Sequence, residues 1–138
     1  MKHPIFSTIV AAIALFSLVS CATVPDPESI PTDLSVAELS RRGQTELDNN
    51  NYKAAEVYYN LIVTRYGTDT AALTAAEFEI AHIRIKQEKY EDAASLLQNL
   101  IGRYETSGGA GLPPEYLALA KNDLEKIPKE YLSTEKED

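Results

Sequence analysis

The sequence predicts an all-α body: two stacked helical hairpins closed by a C-terminal helix. Three observations carry this expectation. From Ser35 to about Glu105, apolar and small residues recur at spacings of three and four, with no strand-like alternation and no Asn-Gly hairpin signal. Breaks at Asp48–Asn51 and Gly67–Thr70 cut the stretch into helix-length pieces. The stretch also matches itself at an offset of 38 residues, pairing Tyr52 with Tyr90, Ala55 with Ala93, Arg65 with Arg103 and Tyr66 with Tyr104. A helix-turn-helix period of this size is the mark of a stacking α-repeat.

Residues 1–20 read as a signal peptide. Lys2 supplies a short positive start, and Ile5 to Leu18 is an apolar run too short for comfortable spanning, which takes roughly 20 residues. Leu18-Val19-Ser20-Cys21 then resembles the bacterial lipobox, which implies cleavage before Cys21 and lipidation of its thiol. Cys21 is the single cysteine of the chain, so no intrachain disulfide forms and a multi-thiolate zinc site is excluded. Two or three acyl chains, at about 0.8 kcal/mol per buried CH₂, anchor a protein to a membrane without spanning it. By the same resemblance, Ala22 after the cysteine directs the protein to the outer membrane, facing the periplasm. Residues 21–34 carry three prolines and few apolar side chains, and are expected to form an extended tether. At about 3.1 Å per residue its reach is on the order of 40 Å.

The helical domain is expected over residues 35–132. Ser35 followed by Glu38 is a capping box. Val36, Leu39, Gly43 and Leu47 share one face of the first helix. Tyr52 opens the second helix, whose buried side carries Ala55, Tyr59, Ile62, Val63 and Tyr66, with Gly67 as its stop. Thr68-Asp69-Thr70 turns the chain and caps the third helix. The fourth repeats the second from Tyr90, and a Gly-rich loop is expected after Tyr104. Gly108, Gly109 and Gly111 lack the following Gly-Lys-Ser/Thr, so they do not make a phosphate loop. Pro113 and Pro114 start a capping helix to Ile127, with Tyr116, Leu119, Ala120 and Leu124 on its buried stripe. Residues 133–138 form a charged, disordered tail.

The matched small residues have a packing reason. Where helices cross closely only a small side chain fits, and Gly43 and Ala81, like Ala55 and Ala93, occupy such places. This pattern resembles the tetratricopeptide repeat, which has a small residue on helix A, then a Tyr and an Ala three positions later on helix B. It departs from that repeat in length, 38 against about 34 residues, and in carrying Leu39 and Glu77, and Glu46 and Arg84, at its usual aromatic places. The resemblance implies a right-handed α-α superhelix whose A helices line a concave, partner-binding face. Carried over, that face comprises Ser40, Gln44, Leu47 and Asp48, then Phe78, His82, Ile85 and Lys86. Gln44, Asp48, Phe78, His82 and Lys86 are the candidate partner-binding residues. Arg65 and Arg103 are expected to act structurally, through acidic neighbours or the C-terminal helix dipole.

A net charge of −8 argues against nucleic acid, because phosphate would be repelled. No catalytic triad spacing, dinucleotide fingerprint or metal cluster stands out, so the chain is not expected to be an enzyme or to need a cofactor. The expected function is a lipid-anchored periplasmic scaffold that binds protein partners of the cell envelope. Its Tyr-x-x-Ala starts and Arg-Tyr ends resemble those in the lipoprotein subunit of the outer-membrane β-barrel assembly machinery. Two alternatives stay open: a lipoprotein that binds a small hydrophobic ligand or peptide for a transporter, and a self-associating structural lipoprotein.

Overall fold

The computed structural model describes residues 23–132. Among the described residues there are five α-helices and no strand: α1 (Val36–Asp48), α2 (Tyr52–Tyr66), α3 (Thr70–Lys86), α4 (Tyr90–Ser107) and α5 (Glu115–Leu124). Each helix packs on the next, and α1 with α3 and α3 with α5 touch as second neighbours. The signal peptide, Cys21 and the 133–138 tail lie outside the described residues.

Helix boundaries follow local chemistry. The Ser35 hydroxyl accepts from the Glu38 amide while the Glu38 carboxylate accepts from the Ser35 amide, completing the box that starts α1. The Asp69 carboxylate accepts from the amides of Ala71 and Ala72 and starts α3. The two hairpin turns are copies of one motif. Asn51 N–H donates to Glu46 C=O and Asn50 N–H to Leu47 C=O; Lys89 N–H donates to Arg84 C=O and Glu88 N–H to Ile85 C=O. These paired bonds make a Schellman ending, which needs a left-handed residue. Asn50 at φ 58° and Glu88 at φ 59° supply it without glycine. The extra repeat length lies in α3, which has 17 residues against 13 in α1.

The close crossings are real contacts. A Cβ at Gly43 would lie 2.8 Å from the Tyr59 ring, itself only 4% exposed. Ala55, Ala81 and Ala93 are buried at 0–1% exposure. Around them lie two joined clusters. One gathers Leu39, Tyr58, Ile62, Ala76 and Ile83; the other gathers Phe78, Leu97, Leu100, Tyr104 and Ala120. Fully burying each large aliphatic side chain contributes about 1.5–3 kcal/mol.

Three expectations need correction. The segment 23–34 is not a free tether: Ile30 and Leu34 are buried in the first cluster. Arg65 donates to the Pro31 and Ile30 carbonyls, and Tyr66 Oη to the Leu34 carbonyl at 2.6 Å. A 3-10 turn at Pro27–Ser29, capped by Asp26, bends the strap onto α2. Second, α4 continues through Ser107 where a loop was expected, because Gly108 at φ 62° provides the left-handed ending three residues later. Third, α5 ends at Leu124, and the chain turns before Pro128. Of the expected stripe, Ala120 is buried and Tyr116 and Leu124 are partly buried against the second cluster, but Leu119 is 41% exposed, and Asp123 and Ile127 are buried as well.

Arg103 pairs with Glu77 of α3, as an acidic neighbour was expected to provide, and Tyr104 Oη donates to the Pro113 carbonyl. Both matched tyrosines therefore hold the lead-in to an odd-numbered helix, Tyr66 for α1 and Tyr104 for α5.

Gly43→Ala is expected to lower stability by about 1–2 kcal/mol, overpacking against Tyr59 outweighing the gain in helix propensity. Gly102→Ala, whose added Cβ meets nothing within 4 Å, is expected to raise stability by about 0.5–1 kcal/mol. Urea midpoints at constant slope check both signs. Tyr66→Phe is expected to cost about 1 kcal/mol and to speed amide exchange around residues 30–34, measured by hydrogen–deuterium exchange.

Candidate functional site

Alternate helices bring their side chains to one face. A cleft of about 480 Å³ is lined by Gln44, Leu47 and Asp48 of α1, Phe78, Glu79, His82 and Lys86 of α3, and Leu119 and Asp123 of α5. Asn50, Tyr52 and Lys126 complete its rim. A hollow of about 300 Å³ adjoins it, sharing Gln44 and Glu79 and adding Ser40, Arg41, Tyr59 and Tyr116.

All five candidate partner-binding residues meet in this cleft, although 38 residues separate the two helices' matched positions. Their roles differ. Gln44 Nε2 donates to Asp48 Oδ1 at 2.9 Å, one turn along α1, so this pair presents a pre-set polar edge. Lys86 is exposed and makes no ion pair among the described residues. Phe78 is wall rather than anchor: it is 7% exposed, with its ring 5.6 Å from Tyr116 and 6.1 Å from His82. Leu47 lines the cleft while packing on the first cluster, and Ile85 packs on the second cluster without lining the cleft.

His82 also bonds within the protein: its Nδ1 lies 2.6 Å from Asp123 Oδ2. An ionised carboxylate only accepts, so Nδ1 carries the proton and donates. Asp123 is 3% exposed, and Lys126 Nζ donates to its other oxygen at 2.6 Å. One buried carboxylate is thus satisfied from two sides, and the bond from His82 ties α5 to α3. Burying that charge unpaired would cost several kcal/mol.

Asp123, Glu79 and Lys126 escaped the sequence reading, which placed Leu119 on a buried stripe rather than in the groove. Asp123 carried a usable signal, being the charged residue on the spacing Tyr116, Ala120, Asp123, Ile127, where the apolar stripe should continue. Glu79 had none, since its half-burial arises only when α1 and α5 flank α3. Burial pushes its carboxyl above the ordinary 4.5; His82 pulls the other way and Asp123 adds to the rise. Burial likewise raises the Tyr59 and Tyr116 hydroxyls.

No protein-family model and no solved structure matches the chain. It is similar to an uncharacterized protein of Treponema pallidum (strain Nichols). The two are 36% identical over 125 residues, which is 91% of this chain and 50% of that relative. The chain therefore spans half the length of the curated relative it matches.

Because the Glu79 carboxyl is raised on folding, its charged form is the costly one. Its protonation favours the folded state below pH 4.5, and that advantage is lost as pH rises through the folded value. Glu79→Gln is expected to match the parent below pH 4.5 and to exceed it in stability near neutral pH. Urea titrations at the two pH values check the crossover.

Proposed function

We propose that this protein is a lipid-anchored scaffold of the tetratricopeptide type, which receives a segment of a protein partner in the cleft formed by α1, α3 and α5. The observation that carries the reading is that α1, α3 and α5 line one groove, while of the intervening helices only Tyr52, at the start of α2, reaches its rim. This is the division of labour that the resemblance assigns to A and B helices in a right-handed superhelix. The matched small residues at the crossings support the same reading. Lipidation at Cys21 rests on the lipobox resemblance and places the scaffold in the bacterial envelope, on the outer membrane facing the periplasm. Among the described residues no helix is long and apolar enough to cross a membrane. The resemblance extends the proposal to outer-membrane protein assembly.

The walls favour this reading over capture of a small hydrophobic ligand. That alternative calls for an enclosed apolar cavity, whereas the cleft is edged by Asp48, Glu79, Lys86, Asp123 and Lys126. Such walls suit the backbone and mixed side chains of a peptide segment.

The test is site-specific photo-crosslinking in cells. A photoreactive side chain at Leu119, exposed in the groove, is expected to give one discrete adduct with an envelope protein; the same probe at Asn60, exposed on α2, is expected to give none. Lys86→Glu combined with Gln44→Arg, both at exposed positions, is expected to cut the Leu119 adduct at least about tenfold, a loss of about 1.4 kcal/mol in affinity. Equal adducts at Leu119 and Asn60, or an adduct indifferent to the double substitution, would sink the assignment.

A further inference from the structure

The strap 23–34 alters where the helical body stands relative to the membrane. Its C-terminal half lies at the end of α2, where Arg65 and Tyr66 hold the carbonyls of Ile30, Pro31 and Leu34. Its N-terminal end lies at the start of α2, where Asn51 Nδ2 donates to the Thr23 carbonyl at 3.3 Å and to Glu46 Oε2 at 2.8 Å. Asn51 is itself only 9% exposed, so this contact is part of the packed body. The strap therefore runs the whole of α2, a helix of 15 residues and about 22 Å. The length assigned to an extended spacer is spent on going back along the domain.

Two peptide steps separate Thr23 from Cys21, a span of at most about 7 Å. We propose that the end of the body bearing the α1–α2 turn rests against the bilayer surface, with the groove opening beside it. The inference rests on the reading of Cys21 as lipidated. The turn is suited to a headgroup layer: Val24 is 43% exposed, Asn49 and Asn50 are exposed amides, and Lys53 is an exposed cation. Asp48, Asn50, Tyr52 and Lys86 bring the groove to this same end. The α2–α3 turn at Gly67–Asp69 lies at the far end of α2.

The chain's single cysteine is used by the lipid, so Asn49→Cys and Thr68→Cys each offer one thiol for a donor dye. The lipidated full-length protein is placed in vesicles of phosphatidylethanolamine and phosphatidylglycerol with acceptor-labelled headgroups. Energy transfer is expected to be strong from position 49 and markedly weaker from position 68. Inserting about twelve Gly-Ser residues between Ala22 and Thr23 is expected to erase the difference. Equal transfer from the two positions in the parent, or a difference unchanged by the insertion, would overturn the orientation. Intact mass and Cys21→Ser separate the two levels. An unacylated protein that floats with vesicles as well as Cys21→Ser removes the lipid reading and this inference together. An acylated protein with equal transfer removes this inference alone. Circular dichroism of each variant establishes that the helices persist.

Discussion

The structure depends on how closely two helices of a hairpin can approach. Gly43 has no side chain where the Tyr59 ring arrives, and a single added carbon would stand inside that ring's contact distance. The matching alanines make the same allowance for the second hairpin. Once the axes are that close, Leu39, Ile62, Ile83 and Leu97 fill the space between them almost without exposure. The repeated Schellman turns follow from the same demand. Helices lying side by side need a short reversal, and a left-handed residue after α1 and α3 makes one while satisfying the last carbonyls.

Two hairpins alone would leave apolar faces open at both ends. The molecule closes each end with a different non-repeat piece. At the start the strap inserts Ile30 and Leu34 against α2; at the end α5 and the turn beyond it bring Ala120 and Ile127 against α4. The same tyrosine position serves both closures: Tyr66 ends α2, Tyr104 stands three residues before the end of α4, and each bonds a backbone carbonyl of the closing segment. Ordering twelve residues of strap costs backbone entropy of about 1–2 kcal/mol per residue. Side-chain burial and the hydrogen bonds from Asn51, Arg65 and Tyr66 oppose that cost.

Much of this was legible in the residue order because it depends on local chemistry. The capping box, the Asp69 cap, the Asn-rich turn and the Tyr52 and Tyr90 starts each involve residues within a few positions of one another. The strap was not legible. A Pro-rich stretch with two isolated aliphatics looks the same whether it is solvated or docked, and the deciding partner, Arg65, lies 34 and 35 residues away. The facing of α5 was only partly legible. Asp123 continues the spacing from Tyr116 and Ala120, yet a carboxylate there makes sense as a buried residue only with His82 and Lys126 beside it. The five groove residues came from the repeat resemblance, and their meeting in one cleft follows from the offset that aligned the helices. Which of them is wall and which is edge depended on α5, whose facing the sequence pattern placed only in part.

The closures at both ends also set a ruler. With helices about 8–10 Å apart, a groove three helices wide measures roughly 20 Å between its outer axes. An extended chain crosses that distance in about six residues. So short an epitope offers few anchor points, and affinity from contact alone is correspondingly modest. Under the proposed lipid anchoring, confinement to a surface would compensate, because two molecules held in the same plane meet at a far higher effective concentration than two in solution. On that proposal, a platform of this size is matched to encounters in two dimensions.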